Sequence, residues 1–232
     1  MYLFDETVGP KNTDHTVSYI THFLGVLPSW IRRIHLFLDN TCSANKNFYT
    51  MAWACEMLQH GRCDFLRISF LVAGHTKFSP DLLFSQIAKS YNQSDVFTTE
   101  ELGEIIQRYA TVTIDDGSLV CDWREPLSKK YSKFPGIRSQ HDFVFAKSIL
   151  SGQVISRTRP YCYTGSFTNA TIRVLAGKDP EDDAIPGDEQ TYHHMNKTRS
   201  ISGSKRSNLV QMYRQFIPRE RWHPIIGSPS SS

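Results

Sequence analysis

The sequence predicts an α/β fold, and three observations lead to that class. Over the first 125 residues, short apolar runs typical of strands alternate with segments whose apolar residues recur at helical spacing. Turn residues and helix caps separate these segments. A chain of 232 residues that is 40% hydrophobic also has enough apolar surface for one sizeable core. We therefore predict a sheet flanked by helices over residues 1–125.

The first elements have clear boundaries. Residues 2–4 form a short strand-like run. Asn12 or Thr13 is placed to cap a helix that Pro28 ends, and its apolar residues recur at helical spacing: Val17, Ile20, Phe23, Leu24 and Leu27. Residues 34–38 are a nearly continuous apolar run, which predicts a central strand buried on both faces.

The same strand and helix pattern continues along the chain. Ser43 or Asn45 is placed to begin a helix that runs to Gln59, and Gly61 is suited to close that helix. Another apolar run predicts a strand over residues 65–72.

Two further helices and a hairpin are predicted next. Residues 79–81 read Ser-Pro-Asp, a favourable helix start because serine accepts a backbone N–H, proline fits the first turn and the acid meets the positive end of the helix dipole. Residues 98–101 have the capping pattern for a helix over 99–109. The Asp-Asp-Gly at residues 115–117 predicts a hairpin between residues 112–114 and 119–123.

The second half has a weaker pattern. Residues 143–150 and 153–159 are compatible with strands or with short amphipathic pieces, and residues 170–175 predict another strand. The predicted organisation after residue 125 is a strand-containing extension at 126–177, a flexible linker at 178–208, a terminal helix at 209–217 and a disordered tail at 218–232.

The net charge of +3 hides an asymmetry between the two halves. Residues 1–120 carry 9 Lys and Arg against 13 Asp and Glu, a net of −4, whereas residues 121–232 carry 17 against 10, a net of +7. The irregular C-terminal extension is therefore basic. A basic surface beside an acidic site suits a polyanion such as DNA. The alternative is that these cations only solvate loops.

Cysteine spacing and hydropathy limit the classes of protein. The five cysteines include no C-x-x-C pair, so we expect reduced thiols rather than a disulfide framework or a zinc finger. No apolar run approaches the roughly 20 residues that cross a bilayer, and the first residues lack the features of a secretion signal. We expect an intracellular protein with no membrane partner.

Asp39 and Asp81 are candidate metal ligands. Asp39 directly follows a predicted strand and Asp81 lies in the first turn of a predicted helix, which are places where an α/β sheet exposes reactive groups. Mg²⁺ and Mn²⁺ prefer oxygen ligands, and a pair of such ions stabilises both the attacking and the leaving oxygen in phosphoryl transfer. We expect the two acids to share one rim of the sheet. The alternative is that both are only helix caps.

Polar residues between Asp39 and the next helix are candidates for phosphate binding. Amide side chains, a lysine and free backbone N–H groups at a helix N-terminus can hold an anion, and these residues are Asn40, Ser43, Asn45, Lys46 and Asn47. The alternative is that they are ordinary turn formers. His75 follows a glycine and is a candidate phosphate contact, metal neighbour or proton carrier, with stabilisation of its own loop as the alternative.

Two segments carry a resemblance to known motifs. Residues 36–40, LFLDN, and residues 74–87, GHTKFSPDLLFSQI, resemble the catalytic cores of DDE-type transposases with the ribonuclease H-like fold. In those cores an Asp-Asn ends the fourth strand and a later Ser-Pro-Asp begins a helix. Residues 39–47 and 74–81 more closely resemble an uncharacterised, transposon-derived domain family of animal genomes with the motifs D-N-C-x-G-Q-N-K-N and G-H-T-x-x-x-x-D. The likeness covers about residues 2–97 and 209–218.

The resemblance implies a ribonuclease H-like mixed sheet flanked by helices. It further implies that Asp39 and Asp81 are the second and third acids of a site that binds Mg²⁺ or Mn²⁺, that DNA is the substrate and that the protein is nuclear. Two features depart from the family pattern. Cys42 lies one position later than the family's cysteine, and Ser43-Ala44 replaces the usual Gly-Gln.

The first acid of such a site is the larger departure. In a ribonuclease H-like fold three antiparallel strands precede the first helix, and the first of them carries the first acid. Only residues 2–4 are strand-like before the first predicted helix, and Asp5 and Glu6 are poor substitutes. We therefore expect an N-terminally truncated domain that binds its metal weakly or not at all and exposes a sheet edge for self-association.

Three functions follow as hypotheses. The leading one is a transposase-derived domain, impaired in phosphodiester transfer and unable to cut DNA by itself. The alternative is a non-catalytic module that binds nucleic acid or protein through its basic second half. The third is a structural remnant without a ligand.

Overall fold

The computed structural model describes residues 1–5, 8–9, 11–71, 79–148, 151–162, 164–172, 174–175 and 207. The helices are α1 (Thr13–Val26), α2 (Phe48–Gln59), α3 (Ser79–Asn92), α4 (Thr99–Gln107) and α5 (Arg124–Lys130), with a 3₁₀ turn at Ile137–Ser139. The strands are β1 (Tyr2–Leu3), β2 (Arg33–Leu38), β3 (Phe65–Phe70), β4 (Thr113–Ile114), β5 (Asp142–Lys147), β6 (Val154–Arg159) and β7 (Thr168–Ala170). The predicted α/β class is confirmed.

The chain divides into two compact units. The first unit contains Met1–Pro10, Phe78–Gly117 and Asn196–Ser232, and the second contains Lys11–Lys77 and Ser118–Met195. The first unit carries β1, β4, α3 and α4, whereas the second carries the other helices and strands.

A five-stranded mixed sheet is the framework of the second unit. Its strand order is β2-β3-β5-β6-β7. β2 and β3 are parallel, and each later neighbour in the sheet is antiparallel to the one before it. Parallel strands need a long crossover to bring the chain back to the same end of the sheet, and α2 provides it.

The two faces of this sheet differ in burial because side chains alternate along each strand. The inner face packs with α2 into the core, and its fully buried side chains include Leu66, Ile68, Phe70, Phe143 and Phe145. The alternate residues form an outer face, on which Arg33, His35 and Arg157 are exposed. The core therefore lies on one side of the sheet.

The prediction that residues 34–38 form a central strand buried on both faces is wrong. Among the described strands, β2 is outermost and pairs with β3 alone. Alternate β2 residues pack against the core, namely Ile34, Leu36 and Leu38. His35 and Phe37 lie on the outer face, so the apolar character of Phe37 conceals a period-two alternation in the sequence. Self-association through a sheet edge stays a prediction.

Side-chain caps set the starts of α1 and α2. Asn12 accepts a hydrogen bond from the His15 backbone N–H at 3.2 Å, and α1 begins at the next residue as predicted. α2 begins later than expected, because Asn47 rather than Ser43 or Asn45 is its cap. The Asn47 amide oxygen accepts the backbone N–H groups of the second and third helical residues at 3.0 and 3.2 Å.

In the first unit, β1 and β4 form a parallel pair. Tyr2 lies opposite Thr113 and Leu3 opposite Ile114. The predicted hairpin across residues 115–117 is therefore wrong, since β4 pairs with the beginning of the chain. α3 begins at Ser79 as predicted, and α4 begins with the predicted capping box between Thr98 and Glu101.

The sequence does not predict α5, because its cap comes from a distant part of the chain. Asp14 in α1 is fully buried, and one of its carboxylate oxygens accepts the backbone N–H groups of Trp123 and Arg124 at 3.1 and 3.2 Å. The other oxygen accepts the Arg124 Nε–H at 2.7 Å. Asp14 thus fixes the start of α5 from 110 positions earlier in the chain.

The later predictions meet the structure only in part. β5 and β6 confirm strands within residues 143–150 and 153–159, and β7 shares only Ala170 with the strand predicted at 170–175. Apart from Ser207, the linker, terminal helix and tail predicted after residue 177 lie outside the described residues. Within the described ranges, none of the helices is long and apolar enough to span a bilayer.

A buried ion pair joins α2 to α5. Glu56 accepts a hydrogen bond from Lys130 Nζ at 2.8 Å and one from the Tyr131 hydroxyl at 2.6 Å, and its carboxylate lies 2.8 Å from His60 Nε2. Glu56 is 1% exposed and Lys130 is 3% exposed. Burial opposes ionisation, but the hydrogen bonds from His60, Lys130 and Tyr131 and the charge of Lys130 hold the pKa of Glu56 below its ordinary value.

We predict that Glu56→Gln lowers the free energy of unfolding by about 3–5 kcal/mol, because it leaves the Lys130 ammonium buried without its counter-charge. Urea denaturation monitored by tryptophan fluorescence measures the change. Glu125→Gln is the matched control, since Glu125 pairs with Lys129 on the exposed side of α5. The control should change stability by about 0.5 kcal/mol or less. Equal effects of the two substitutions would show that the buried pair does not hold α2 to α5.

Candidate functional site

The outer face of the five-stranded sheet carries a cluster of basic side chains, here named the basic face. Strand register defines its members: Arg33 and His35 on β2, Arg67 on β3, and Arg157 and Arg159 on β6. His35 lies directly opposite Arg67 across the β2–β3 pair. Among the described strand residues of this face, Asp142 is the one acid, against four arginines.

Asp142 joins three strands of the basic face. Arg67 donates to both carboxylate oxygens, at 2.9 and 2.6 Å, and Arg159 Nε donates to Oδ2 at 2.7 Å. The Ser69 hydroxyl adds a hydrogen bond to Oδ1 at 3.0 Å. Asp142 is fully buried; burial opposes its ionisation, but the hydrogen bonds from Arg67, Arg159 and Ser69 hold its pKa below the ordinary range. Asp142, Arg67, Arg159 and Ser69, here named the Asp142 cluster, therefore hold one another in place and have a net positive charge.

Aromatic rings lie beside these cations. The Arg33 guanidinium lies over the Phe65 ring, 4.4 Å from its centroid, and Arg159 lies at the same distance over Phe167. The His35 and Phe37 ring centroids are 4.1 Å apart. Guanidinium groups and rings held in this way are the partners that nucleic-acid-binding proteins use for phosphates and for unpaired bases.

His35 connects the edge of the sheet to the Asp142 cluster. Its Nε2 lies 2.8 Å from the Ser69 hydroxyl, which in turn donates to Asp142. Burial and the charge of Arg67 lower the pKa of His35, and the charge of Asp142 opposes them in part. An anion bound at this face would favour the protonated ring, because it would offset the charge of Arg67.

The turn at residues 39–47 uses its predicted site residues to close on itself. Asp39 follows β2, and its carboxylate accepts the Thr41 backbone N–H at 3.2 Å, the Thr41 hydroxyl at 2.8 Å and the Asn45 amide. Partial burial of Asp39 opposes its ionisation, but these hydrogen bonds and the charge of Lys11 hold its pKa below the ordinary value. Both carboxylate oxygens are thus engaged within the turn.

The amides of the turn also attach it to α1. The Asn45 amide oxygen accepts the Thr16 hydroxyl at 3.2 Å, and Asn47 Nδ2 donates to Thr13 Oγ1 at 2.7 Å. Asn40 is exposed at the start of the turn. Phosphate binding by Asn40, Asn45 and Asn47 stays a prediction, and in this structure the two latter amides stabilise the turn.

The two predicted acids belong to different units. Asp39 lies in the second unit, and Asp81 is exposed in the first turn of α3 in the first unit. His75 lies outside the described residues. Within the described ranges, no group of three His, Cys, Asp or Glu side chains is arranged to hold a metal ion. Convergence of Asp39 and Asp81 on Mg²⁺ or Mn²⁺ stays a prediction.

A pocket of about 460 Å³ opens beside the turn. The residues that line it are Cys42, Lys46, Asn47, Phe48, Phe134, Gly136, Ile137 and Arg138. Lys46 is 3% exposed, and its ammonium donates to the Arg138 carbonyl at 3.0 Å. The pocket therefore combines apolar walls with cationic side chains.

The sequence contains a pattern that indicates the basic face, namely the spacing of basic residues in two strands. Residues 33–38 read Arg-Ile-His-Leu-Phe-Leu and residues 154–159 read Val-Ile-Ser-Arg-Thr-Arg, so basic side chains recur at period two. That period places them on one face of a strand. The convergence of these strands is not readable from the sequence, because it depends on which strands are neighbours.

Fold and surface define the class: a mixed α/β protein whose sheet exposes a basic, partly aromatic face. Residues 2–163 match the family described as a domain of unknown function, DUF7869, and the chain belongs to that family. The match includes β1 to β6, the turn at residues 39–47 and the pocket beside it. No curated protein and no solved structure matches the chain.

We predict that Asp142→Asn destabilises the protein at neutral pH by about 3–5 kcal/mol, because Arg67 and Arg159 lose their shared counter-charge. The lowered pKa of Asp142 means that its stabilisation is fully present above the ordinary carboxyl pKa of about 4 and is lost as the pH falls through the folded-state value. The variant should therefore lose less stability than the parent on acidification. Urea unfolding at several pH values between 3 and 7 measures both effects.

Asp64→Asn is the control for this prediction. Asp64 forms an exposed salt bridge with Arg32 at 2.6 Å, with side chains that are 57% and 40% exposed respectively. Its replacement should leave most of the acid dependence in place. If the Asp142 and Asp64 variants had the same pH profile, the buried cluster would not be the source of acid sensitivity.

Proposed function

We propose that this chain is a transposase-derived, ribonuclease H-like domain that binds DNA through the basic face and does not cut DNA by itself. The basic face is the observation that carries the proposal. Its four arginines lie on three strands, and the carboxylate of Asp142 holds two of them, Arg67 and Arg159, in fixed positions. A fixed, net positive surface attracts a polyanion and releases its counterions on binding.

Charge favours a nucleic acid over a protein as the partner. Arg33 and Arg157 are exposed, and neither forms part of the Asp142 cluster. Their guanidinium groups are available to phosphates at no cost to the core. The ring of Phe65 holds the Arg33 guanidinium in place, which reduces the conformational entropy lost on binding.

The non-catalytic part of the proposal is supported by Asp39. Its oxygens accept hydrogen bonds from Thr41 and Asn45, so a metal ion would have to replace contacts that stabilise the turn. In this proposal Mg²⁺ or Mn²⁺ binds weakly or not at all, and Asp39 with Asp81 are inherited acids. An intracellular, nuclear location belongs to the same proposal.

The sequence motifs support the proposed transposase ancestry more strongly than the strand order does. The parallel pair β2–β3, with α2 between its strands and Asp39 directly after β2, agrees with the arrangement that the resemblance implies. The antiparallel strands β5, β6 and β7 follow the helices in sequence, whereas those of a ribonuclease H-like fold precede the first helix. A direct comparison with that fold therefore requires a rearranged strand order.

We predict that the chain binds duplex DNA with an affinity that falls steeply as salt increases. The double variant Arg33→Gln/Arg157→Gln should weaken binding and reduce the slope of log K against log salt by about 1 for each arginine that contacts a phosphate. Fluorescence anisotropy with labelled DNA at several salt concentrations measures both quantities.

The matched control is Arg62→Gln/Lys129→Gln. It removes the same charge from exposed positions of the second unit outside the basic face. It should leave the salt slope almost unchanged. Binding that is absent, insensitive to salt, or weakened equally by both double variants would refute the proposed interface.

We also predict no Mg²⁺- or Mn²⁺-dependent cleavage of DNA by this chain. Asp39→Asn should leave DNA affinity unchanged, because Asp39 lies outside the basic face. A plasmid-nicking assay in each metal, run alongside the anisotropy measurement, checks both expectations. Robust cleavage that disappears in Asp39→Asn would show that the domain is a nuclease and that the non-catalytic part of the proposal is wrong.

A further inference from the structure

Lys46 is a buried cation that has no acidic partner among the described residues. Its side chain is enclosed at 3% exposure, and its ammonium has the Arg138 carbonyl as hydrogen-bond acceptor and the Phe70 ring 5.6 Å away. Within the described part of the chain, no carboxylate forms a salt bridge with it. A charge buried in this way is costly unless a counter-charge is supplied.

An anionic ligand in the pocket at residues 42–48 and 134–138 would supply that counter-charge. Lys46 and Arg138 both line this pocket, and none of the described residues that line it is an acid. Burial lowers the pKa of Lys46, although the nearby thiols of Cys42 and Cys162 oppose this effect. An anion in the pocket would stabilise the charged ammonium and complete its hydrogen bonds.

The other walls define the rest of the ligand. Phe48, Phe134 and Ile137 present apolar surface, which suits a flat ring rather than a second charge. A volume of about 460 Å³ lies within the range of small-molecule sites and exceeds what inorganic phosphate requires. Asn47, whose amide oxygen caps α2, lines the same pocket.

We propose that this pocket binds a nucleoside 5′-monophosphate group, with the phosphate at Lys46 and the base between the apolar walls. The choice of a nucleotide among flat anions rests on the proposed DNA-binding function. The group has two chemical sources, a free nucleotide or the 5′-phosphorylated end of a DNA strand. The pocket is separate from the basic face, which lies on the opposite side of the sheet from Phe70 and the core.

The reactivity of Cys42 provides a direct measure of ligand binding in the pocket. It is an exposed thiol that lines the pocket, whereas Cys55 and Cys63 are buried. Adenosine 5′-monophosphate should slow the alkylation of Cys42 by a maleimide. Mass spectrometry of the labelled peptide measures the rate of this alkylation. Adenosine or inorganic phosphate alone should protect much less, because each fills only part of the site.

Calorimetric titration with adenosine 5′-monophosphate tests the role of the charge. Lys46→Met keeps the length of the side chain and should weaken binding by about 10-fold or more, through loss of a charge-assisted hydrogen bond. Lys129→Met is the control, since Lys129 is an exposed residue of α5 that does not line the pocket. The protection of Cys42 in the unmodified protein keeps the test valid if Lys46→Met fails to fold.

DNA strands with and without a 5′-phosphate distinguish the two sources. Protection by the phosphorylated strand assigns the pocket to DNA ends, and protection by the free nucleotide alone assigns it to a small ligand. A duplex closed by hairpins at both ends has no 5′-phosphate, so its binding tests only the basic face. No protection by either phosphorylated probe, equal protection by adenosine, or unchanged affinity in Lys46→Met would overturn the pocket proposal.

Discussion

The alternation of side chains along the strands of the second unit is the constraint on which the rest of its structure depends. One set of alternate residues, including Ile68 and Phe143, is buried with α2, and this apolar contact holds the sheet in place. The other set lies on the outer face, where Arg33, His35 and Arg157 are exposed, and Asp142 and Arg159 are buried as an ion pair. This face can carry charged side chains because each of these is either exposed to solvent or paired.

Collecting arginines on one surface has an electrostatic cost, and Asp142 reduces it. A single carboxylate that accepts hydrogen bonds from Arg67 and Arg159 offsets their mutual repulsion and fixes both guanidinium planes. Because one negative charge is shared between two positive ones, the cluster keeps a net positive charge. These contacts therefore stabilise the sheet, whereas the exposed arginines of the basic face, Arg33 and Arg157, lie outside them.

Local features of the chain were predictable, and distant ones were not. The starts of α1 and α4 follow from Asn12 and Thr98, whose side chains cap residues only a few positions away, and α3 begins at the predicted Ser-Pro-Asp. The start of α5 was not predictable, because Asp14, which caps it, lies in another helix. The sequence shows that the turn at residues 39–47 is polar, but the contacts of Asn45 with Asp39 and of Asn47 with Thr13 depend on backbone geometry. The basic face required strand order, which no local pattern specifies.

Core positions and surface positions occupy alternate places in the same strands, and this has an evolutionary consequence. A substitution at Arg33 or Arg157 changes what the sheet presents to a partner without altering the packing beneath it. Relatives with the same architecture can thus acquire different binding preferences through a few codon changes. Selection for a new partner and selection for a folded protein then act on separate residues.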